Sequence, residues 1–284
     1  MKKEKGATMA GLKRFFVDEI GERAELVGEE FEHAKNVLRL SVGDEAVLLD
    51  NSGKEYVAIV AAVEKRRLIF NVLREEDGAH EAETDVALLF GYLKNADKNE
   101  FIVQKAVELG VKKLVAFSSE FSSAYMNANK LERLNKVSKE AAKQCMRSVA
   151  PTVEYAESFE KALAFADGYQ NKLFACEFAS ESAVDIRSIK GSTAIVIGSE
   201  GGFSRAEEET ANAAGFASVT LGKRILRAET AAVALTSVVM FSLGELGDGG
   251  NGGNDGNGGD GGADKAASAQ ALPARRFRCC AGAK

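Results

Sequence analysis

Apolar positions change period partway along this chain. Between Leu12 and Leu73 the apolar runs are short: Phe15-Phe16-Val17, Ala46 to Asp50, Tyr56 to Val63 and Arg67 to Leu73, with Asn51-Ser52-Gly53 as a turn between two of them. Runs of this kind bounded by turn residues predict strands. Phe31, Ala34, Val37 and Leu38 are spaced to share one face of a short helix over 29–38. Several short strands with one helix predict a small β-rich barrel over 1–74. The segment 75–84 is acidic and poor in apolar residues, and predicts a linker.

From Asp85 strand-like and helix-like stretches alternate, which predicts an α/β domain over 85–246. Val86 to Phe90 is continuously apolar, as a parallel strand buried on both faces should be. Asp97 and Glu100 have capping-box spacing ahead of a helix that stops at Gly110, with Ile102, Val103, Ala106 and Leu109 on its core face. Lys113 to Phe117 predicts a strand, Ser118 to Ala128 a polar loop, and Leu131, Leu134, Val137, Ala141 and Cys145 a helix over 130–146. Lys172 to Cys176 predicts another strand. The run Ala194 to Ile197 then stops at Gly198-Ser199-Glu200-Gly201-Gly202, and Ser204 with Glu207 makes a second capping-box spacing. Ser218 to Leu221 breaks at Gly222, and a helix is expected from Ala228 to Leu243. Beyond it, 247–262 contains only Gly, Asn and Asp, so 247–284 is expected to be a disordered tail, ending in a basic stretch.

The chain has 284 residues, of which 45% are hydrophobic. No apolar run reaches the roughly 20 residues needed to span a bilayer. The N-terminal stretch has positive charge but no apolar segment, so a cytoplasmic protein is expected, with no membrane partner. Cys145, Cys176, Cys279 and Cys280 form no C-x-x-C pair, and no metal site is expected. The net charge of −5 argues mildly against nucleic acid, yet phosphate contacts depend on local field rather than on the total.

Two strands that each end in a glycine turn feeding a helix predict a ligand site at those turns. The dinucleotide pattern is absent, because Ser199 and Glu200 separate Gly198 from Gly201, and no Gly-Lys-Ser/Thr follows. Glu200 would repel a pyrophosphate and suits a ligand with a positive centre. A pair of ordinary strand-to-helix turns is the plainer alternative.

IGSEGGFS followed by LGKRILRAETA closely resembles the two signature loops of the bacterial 16S rRNA uracil-N3 methyltransferases, ribosomal RNA small subunit methyltransferase family E. These are S-adenosylmethionine enzymes of the trefoil-knotted SPOUT class. HAKNVLRLSVGD is similar to a family segment near the N-terminus, and the resemblance spans roughly Leu12 to Leu246. It implies an α/β fold with an N-terminal PUA-like barrel and a deeply knotted C-terminal domain, a homodimer, and 16S rRNA of the small ribosomal subunit as substrate. It implies that Ile197, Gly198, Leu221, Ile225 and Leu226 meet S-adenosylmethionine through their backbone. Gly201, Gly202 and Gly222 would allow close approach, and Glu200 and Glu229 would shape the site. Arg227 is expected to stabilise charge on the substrate, with Glu200 as a second catalytic candidate; a salt bridge of Arg227 to Glu229 or Glu200 is the structural alternative. Arg14, His33, Arg39, Lys94, Lys98 and Arg147 are expected to meet RNA; solvated surface charge is the plain reading of most of them.

The chain departs from the family at four places. The family tends to have arginine at Phe121, glutamate at Lys143, glycine at Met146 and proline at Ser199. Two further functions remain open: a SPOUT ribose 2′-O-methyltransferase, and a non-catalytic RNA-binding protein on the same fold.

Overall fold

The computed structural model describes residues 11–176 and 182–247. The N-terminal part contains β1 (Lys13–Phe16), β2 (Arg23–Val27), α1 (Gly28–Glu32), β3 (Glu45–Leu49), β4 (Lys54–Val63) and β5 (Arg67–Asp77). They form one five-stranded sheet in the order β1-β3-β4-β5-β2. Register shifts at Val57/Ala58 and Val60/Ala62 mark irregular pairing of β4 with β5, and bulges of this kind bend and twist a sheet. The expected barrel is thus a curled sheet, with β1 and β2 as its edges. Phe15, Leu26, Phe31, Leu48, Leu68 and Phe70 fill its concave core.

The expected helix over 29–38 is not one α-helix. After α1 the chain continues as a π-helical turn, His33–Val37, with the Leu38 N–H donating to the His33 carbonyl. The wider turn shifts the phase of the face. Phe31 and Ala34 stay buried, while Val37 is 68% exposed. β5 also runs on to Asp77, so the first residues of the expected linker belong to the sheet.

The C-terminal part contains β6 (Val86–Gly91), α2 (Ala96–Glu108), β7 (Lys113–Phe117), α3 (Ala128–Gln144), β8 (Val153–Ala156), α4 (Phe159–Ala164), β9 (Asn171–Ala175), β10 (Thr193–Ile197), α5 (Arg205–Ala213), β11 (Ala217–Val219) and α6 (Ala228–Ser242). Its six strands are all parallel, in the order β11-β9-β10-β6-β7-β8. Helices cover both faces. Along β6, Val86, Leu88 and Phe90 enter the core that contains α2, α3 and α6, whereas Ala87 and Leu89 enter the core under α4 and α5. This burial on both faces is why the run is apolar without alternation.

The helix caps differ in part from expectation. Asn95, not Asp97, caps α2 by accepting from the Asp97 N–H, and Glu100 instead pairs with Arg133 at 2.8 Å. Ser204 and Glu207 do form the reciprocal box that starts α5.

The two parts are joined by more than a tether. Phe16, Val47 and Leu49 of the first sheet belong to the same core as α2 and α3. The Ala150 N–H donates to Asn51 Oδ1, and Glu29 and Glu30 of α1 pair with Lys136 and Lys143 of α3. Glu81, inside the expected linker, accepts from the Ser148 and Val149 N–H groups and from Arg147.

Candidate active site

The chain leaves β6 toward β7 and β8, then returns on the other side of β6 to build β10, β9 and β11. Strand order therefore reverses between β6 and β10, and ligands of open parallel sheets sit beyond the carboxyl ends of strands at such a reversal. Both strands end there in glycine. A Cβ on Gly91 would strike the Ser199 backbone nitrogen and lie 2.9 Å from the Gly198 carbonyl carbon, so the two segments touch backbone to backbone. The turn after β10 closes on itself, with the Gly202 N–H donating to the Ser199 carbonyl at 3.0 Å and Gly202 at φ 67°. A Cβ on Gly201 would come 2.6 Å from the Phe121 Cβ.

Phe203 anchors this turn from below. It is 3% exposed, and its ring lies 4.4 Å from that of Phe174 and 5.3 Å from that of Phe159. The Glu200 carboxylate accepts from the Lys94 N–H at 3.2 Å, latching the turn to the segment after β6. Buried Asn99 fixes that segment in turn, accepting from the Leu93 N–H and donating to the Leu93 and Asn95 carbonyls. Sequence reasoning missed Phe203, Gly91 and Asn99 as supports. An apolar residue directly after two glycines was the only signal for Phe203.

The second loop leaves β11 and bends at Gly222, φ 104°. β9 lies between β10 and β11, so the two loops start about 10 Å apart, two strand spacings. Leu221 and Ala228 pack against the core beneath the loop, whereas Ile225 is 93% exposed and Leu226 half-buried. Arg227 is the N-cap residue of α6, exposed, and has no ion pair among the described residues. The alternative salt bridges do not form: Glu229 pairs with Lys98 at 3.2 Å, and Glu200 is engaged by Lys94. Among the described residues, each loop with the turn that follows it carries one buried polar atom lacking a partner, Ser199 Oγ and Glu229 Oε2. Buried polar groups are normally paired. Two orphans flanking one edge of the sheet, together with a glycine cradle, fit a polar ligand lying across the loops.

Beside the glycine turn is a cavity of about 220 Å³ lined by Tyr92, Glu100, Asn127, Lys130 and Arg133 among others. Burial, and then the nearby Glu100 charge, push the Tyr92 hydroxyl above its usual range, while the Arg133 hydrogen bond holds Glu100 below the usual carboxylate range. A groove of about 520 Å³ lined by Asp85, Lys112, Lys113 and Tyr169 lies at the amino ends of the strands, away from both glycine turns.

The residues expected to meet RNA separate into two groups. Lys94 and Arg39 are exposed and His33 is half-buried. Arg14 and Arg147 are not surface charges. Arg14 is 8% exposed and paired with Glu55 at 2.5 Å. Arg147 is 2% exposed, pairs with Glu81 and donates to the Val107 and Val111 carbonyls. Their charge is neutralised inside the protein, which corrects the expectation that they contact phosphates. Lys98 is tied to Glu229 at the base of α6.

An RNA methyltransferase domain matches residues 80–240, and an RNA methyltransferase PUA domain matches residues 26–73. The chain is 35% identical to a ribosomal RNA small subunit methyltransferase E from Mesomycoplasma hyopneumoniae over 58% of this chain and 73% of that one. It is 29% identical to the protein of the same name from Bacillus subtilis, over 81% of this chain and 96% of that one. The chain belongs to the ribosomal RNA small subunit methyltransferase E family. Its fold matches a family E structure from Neisseria gonorrhoeae bound to S-adenosyl methionine, with TM-score 0.74 and 30% identity over 82% of this chain and 98% of that one. A methyltransferase from Legionella pneumophila in complex with the same cofactor gives TM-score 0.75 at 25% identity over the same shares.

Within family E two departures acquire a structural meaning. Met146 stands at φ 65°, in the left-handed region that favours glycine, and the Arg147 N–H returns to the Ala142 carbonyl in a helix-ending Schellman pattern. Lys143, where glutamate is expected, pairs with Glu30 of the other sheet's helix and with Glu140.

Proposed function

We propose that this chain transfers the methyl group of S-adenosylmethionine to N3 of a uridine in 16S rRNA. Family membership carries the coarser statement: it is an S-adenosylmethionine-dependent methyltransferase of small-subunit ribosomal RNA. The choice of N3 rests on the resemblance of both glycine loops to the uracil-N3 enzymes. The observation that carries the site is the convergence of Gly91, Gly198 and Gly201 at the β6/β10 reversal, with the β11 loop two strands away.

Backbone groups of Ile197, Gly198, Leu221, Ile225 and Leu226 would hold the nucleoside, with Gly201, Gly202 and Gly222 leaving room for it. Bound there, the cofactor supplies an electrophilic methyl on a sulfonium. The protein's main contribution is alignment, and positioning of this kind can supply up to roughly 7–11 kcal/mol. Uracil N3 carries a weakly acidic proton that must leave as N3 bonds to carbon, so negative charge builds on O2 and O4. Arg227, exposed and without a carboxylate partner among the described residues, is placed to stabilise it. The target uridine must leave its stack to reach the site. Glu200 serves by holding the glycine turn to Lys94 rather than by touching the reacting atoms.

The wider reading is a cytoplasmic homodimer whose loops form the deep trefoil knot of the SPOUT class. In support of pairing, α2 and α6 lie against each other and expose Phe101, Val238 and Phe241. Methyl transfer onto small subunits from a strain lacking the enzyme, followed by nucleoside analysis, tests the assignment. 3-Methyluridine is expected; label in a 2′-O-methyl ribose would replace N3 by the ribose, and no label on any substrate would leave a binding protein.

A further inference from the structure

The loop after β7 carries two large aromatic side chains to the surface, Phe121 at 47% exposure and Tyr125 at 78%. Phe121 is fixed against the glycine turn, since its Cβ and carbonyl oxygen are the atoms a Cβ on Gly201 would meet at 2.6 and 3.0 Å. The loop is held rather than loose. The Glu120 N–H donates to Glu207 of the α5 capping box, and Ser119 and Ser122 bond to each other. At its far end the Lys130 ammonium donates to the Tyr125 carbonyl and lies 5.4 Å from the centre of the Tyr92 ring, on the wall of the 220 Å³ cavity. Lys94 is exposed on the neighbouring segment, and neither the Lys94 nor the Lys130 ammonium is in an ion pair among the described residues.

The exposed part of a ring leaves apolar surface in water, whereas a base stacked on it covers that surface. We propose that Phe121 and Tyr125 form a stacking shelf for unpaired RNA nucleotides next to the target uridine, with Lys94 and Lys130 holding the adjoining phosphates. Three residues lie between the two, four Cα steps and at most about 14 Å of chain, so the shelf runs from the glycine turn to the cavity mouth. Rings accept any base, and cations track the backbone, so the shelf positions the strand without reading its sequence. The cavity between Tyr92 and Arg133 provides a recess for a flanking base at the end of that shelf. The proposal rests on small-subunit rRNA being the substrate.

The experiment compares wild type, Phe121→Ala, Phe121→Trp, Phe121→Leu and Tyr125→Ala on under-modified small subunits. KM and kcat for RNA, affinity for S-adenosylmethionine and oligomeric state are measured for each. Each alanine variant is expected to raise KM for RNA about tenfold, with cofactor affinity unchanged. Phe121→Trp should restore KM, and Phe121→Leu, which keeps the apolar packing but not the flat ring, should not. Full rescue by leucine, unchanged KM in both alanine variants, or conversion of the protein to monomers would overturn the shelf. Failure of wild type to methylate any small subunit would instead remove the rRNA reading on which the shelf rests.

Discussion

Arg147 and Glu81 meet at 2.8 Å with the arginine 2% exposed, which pins the connecting segment to the end of α3. The same guanidinium donates to the Val107 and Val111 carbonyls where α2 ends. Removing one partner of a buried, hydrogen-bonded pair leaves the other uncompensated and typically costs about 3–5 kcal/mol. Arg147→Ala should lower the unfolding free energy by that order, read as a drop in the denaturant midpoint. RNA affinity of the protein that remains folded should be close to wild type. An intact midpoint with lost RNA affinity would return Arg147 to the RNA surface.

Met146 holds a backbone conformation that side chains with a Cβ adopt at a cost of about 1–2 kcal/mol. Met146→Gly removes that strain but loosens the unfolded chain, an opposing effect of about 0.4–1 kcal/mol. The net expectation is a gain of about 0–1.6 kcal/mol, visible as a raised melting temperature with no change in activity. A drop in melting temperature would mean that the methionine side chain contributes packing that outweighs its backbone.

Gly91 touches the turn it supports. Gly91→Ala would push its new methyl into the Ser199 backbone, which has no rotamer with which to yield. Calorimetry should therefore show cofactor affinity falling at least tenfold, while secondary structure by circular dichroism is kept. Gly222→Ala makes a useful comparison. No atom lies within 4 Å of its would-be Cβ, so its effect comes from φ 104° alone. If Gly91→Ala bound the cofactor normally, the cradle would have to lie elsewhere.

Arg227 has no ion pair among the described residues, so its replacement should do little to the fold. Arg227→Ala is expected to cut kcat by about 100-fold or more while cofactor affinity changes by less than about threefold, as loss of a charge-stabilising donor does. Equal losses in both would assign it to cofactor binding instead.

Glu100 adds a pH signature. Its carboxyl is held below the ordinary range by the Arg133 hydrogen bond, so the pair stabilises the fold above the unfolded carboxylate pKa and is lost as pH falls through the lower folded value. The melting temperature of Glu100→Gln should therefore lie below wild type at pH 7, and the gap should narrow as the pH is lowered toward 3. An equal gap at both values would show that the charge contributes nothing.

Sequence alone determined the elements whose physics is local. The unbroken apolar runs of β6 and β10 needed no partner to be read as buried strands, because a parallel strand covered on both faces has no polar side to show. The Ser204–Glu207 box was legible because capping is a bond between residues three apart. The paired glycine turns carried the resemblance to the family. Tertiary structure decided what depends on residues far apart in the chain. It buried Arg14 and Arg147 against Glu55 and Glu81, where surface charge and the family resemblance had suggested RNA contacts. It turned Val37 outward through a π-helical turn, left Arg227 without a carboxylate among the described residues, and set Phe121 beside Gly201. A charge reads the same in sequence whether water or a carboxylate dozens of residues away will neutralise it, and only the tertiary packing settles which.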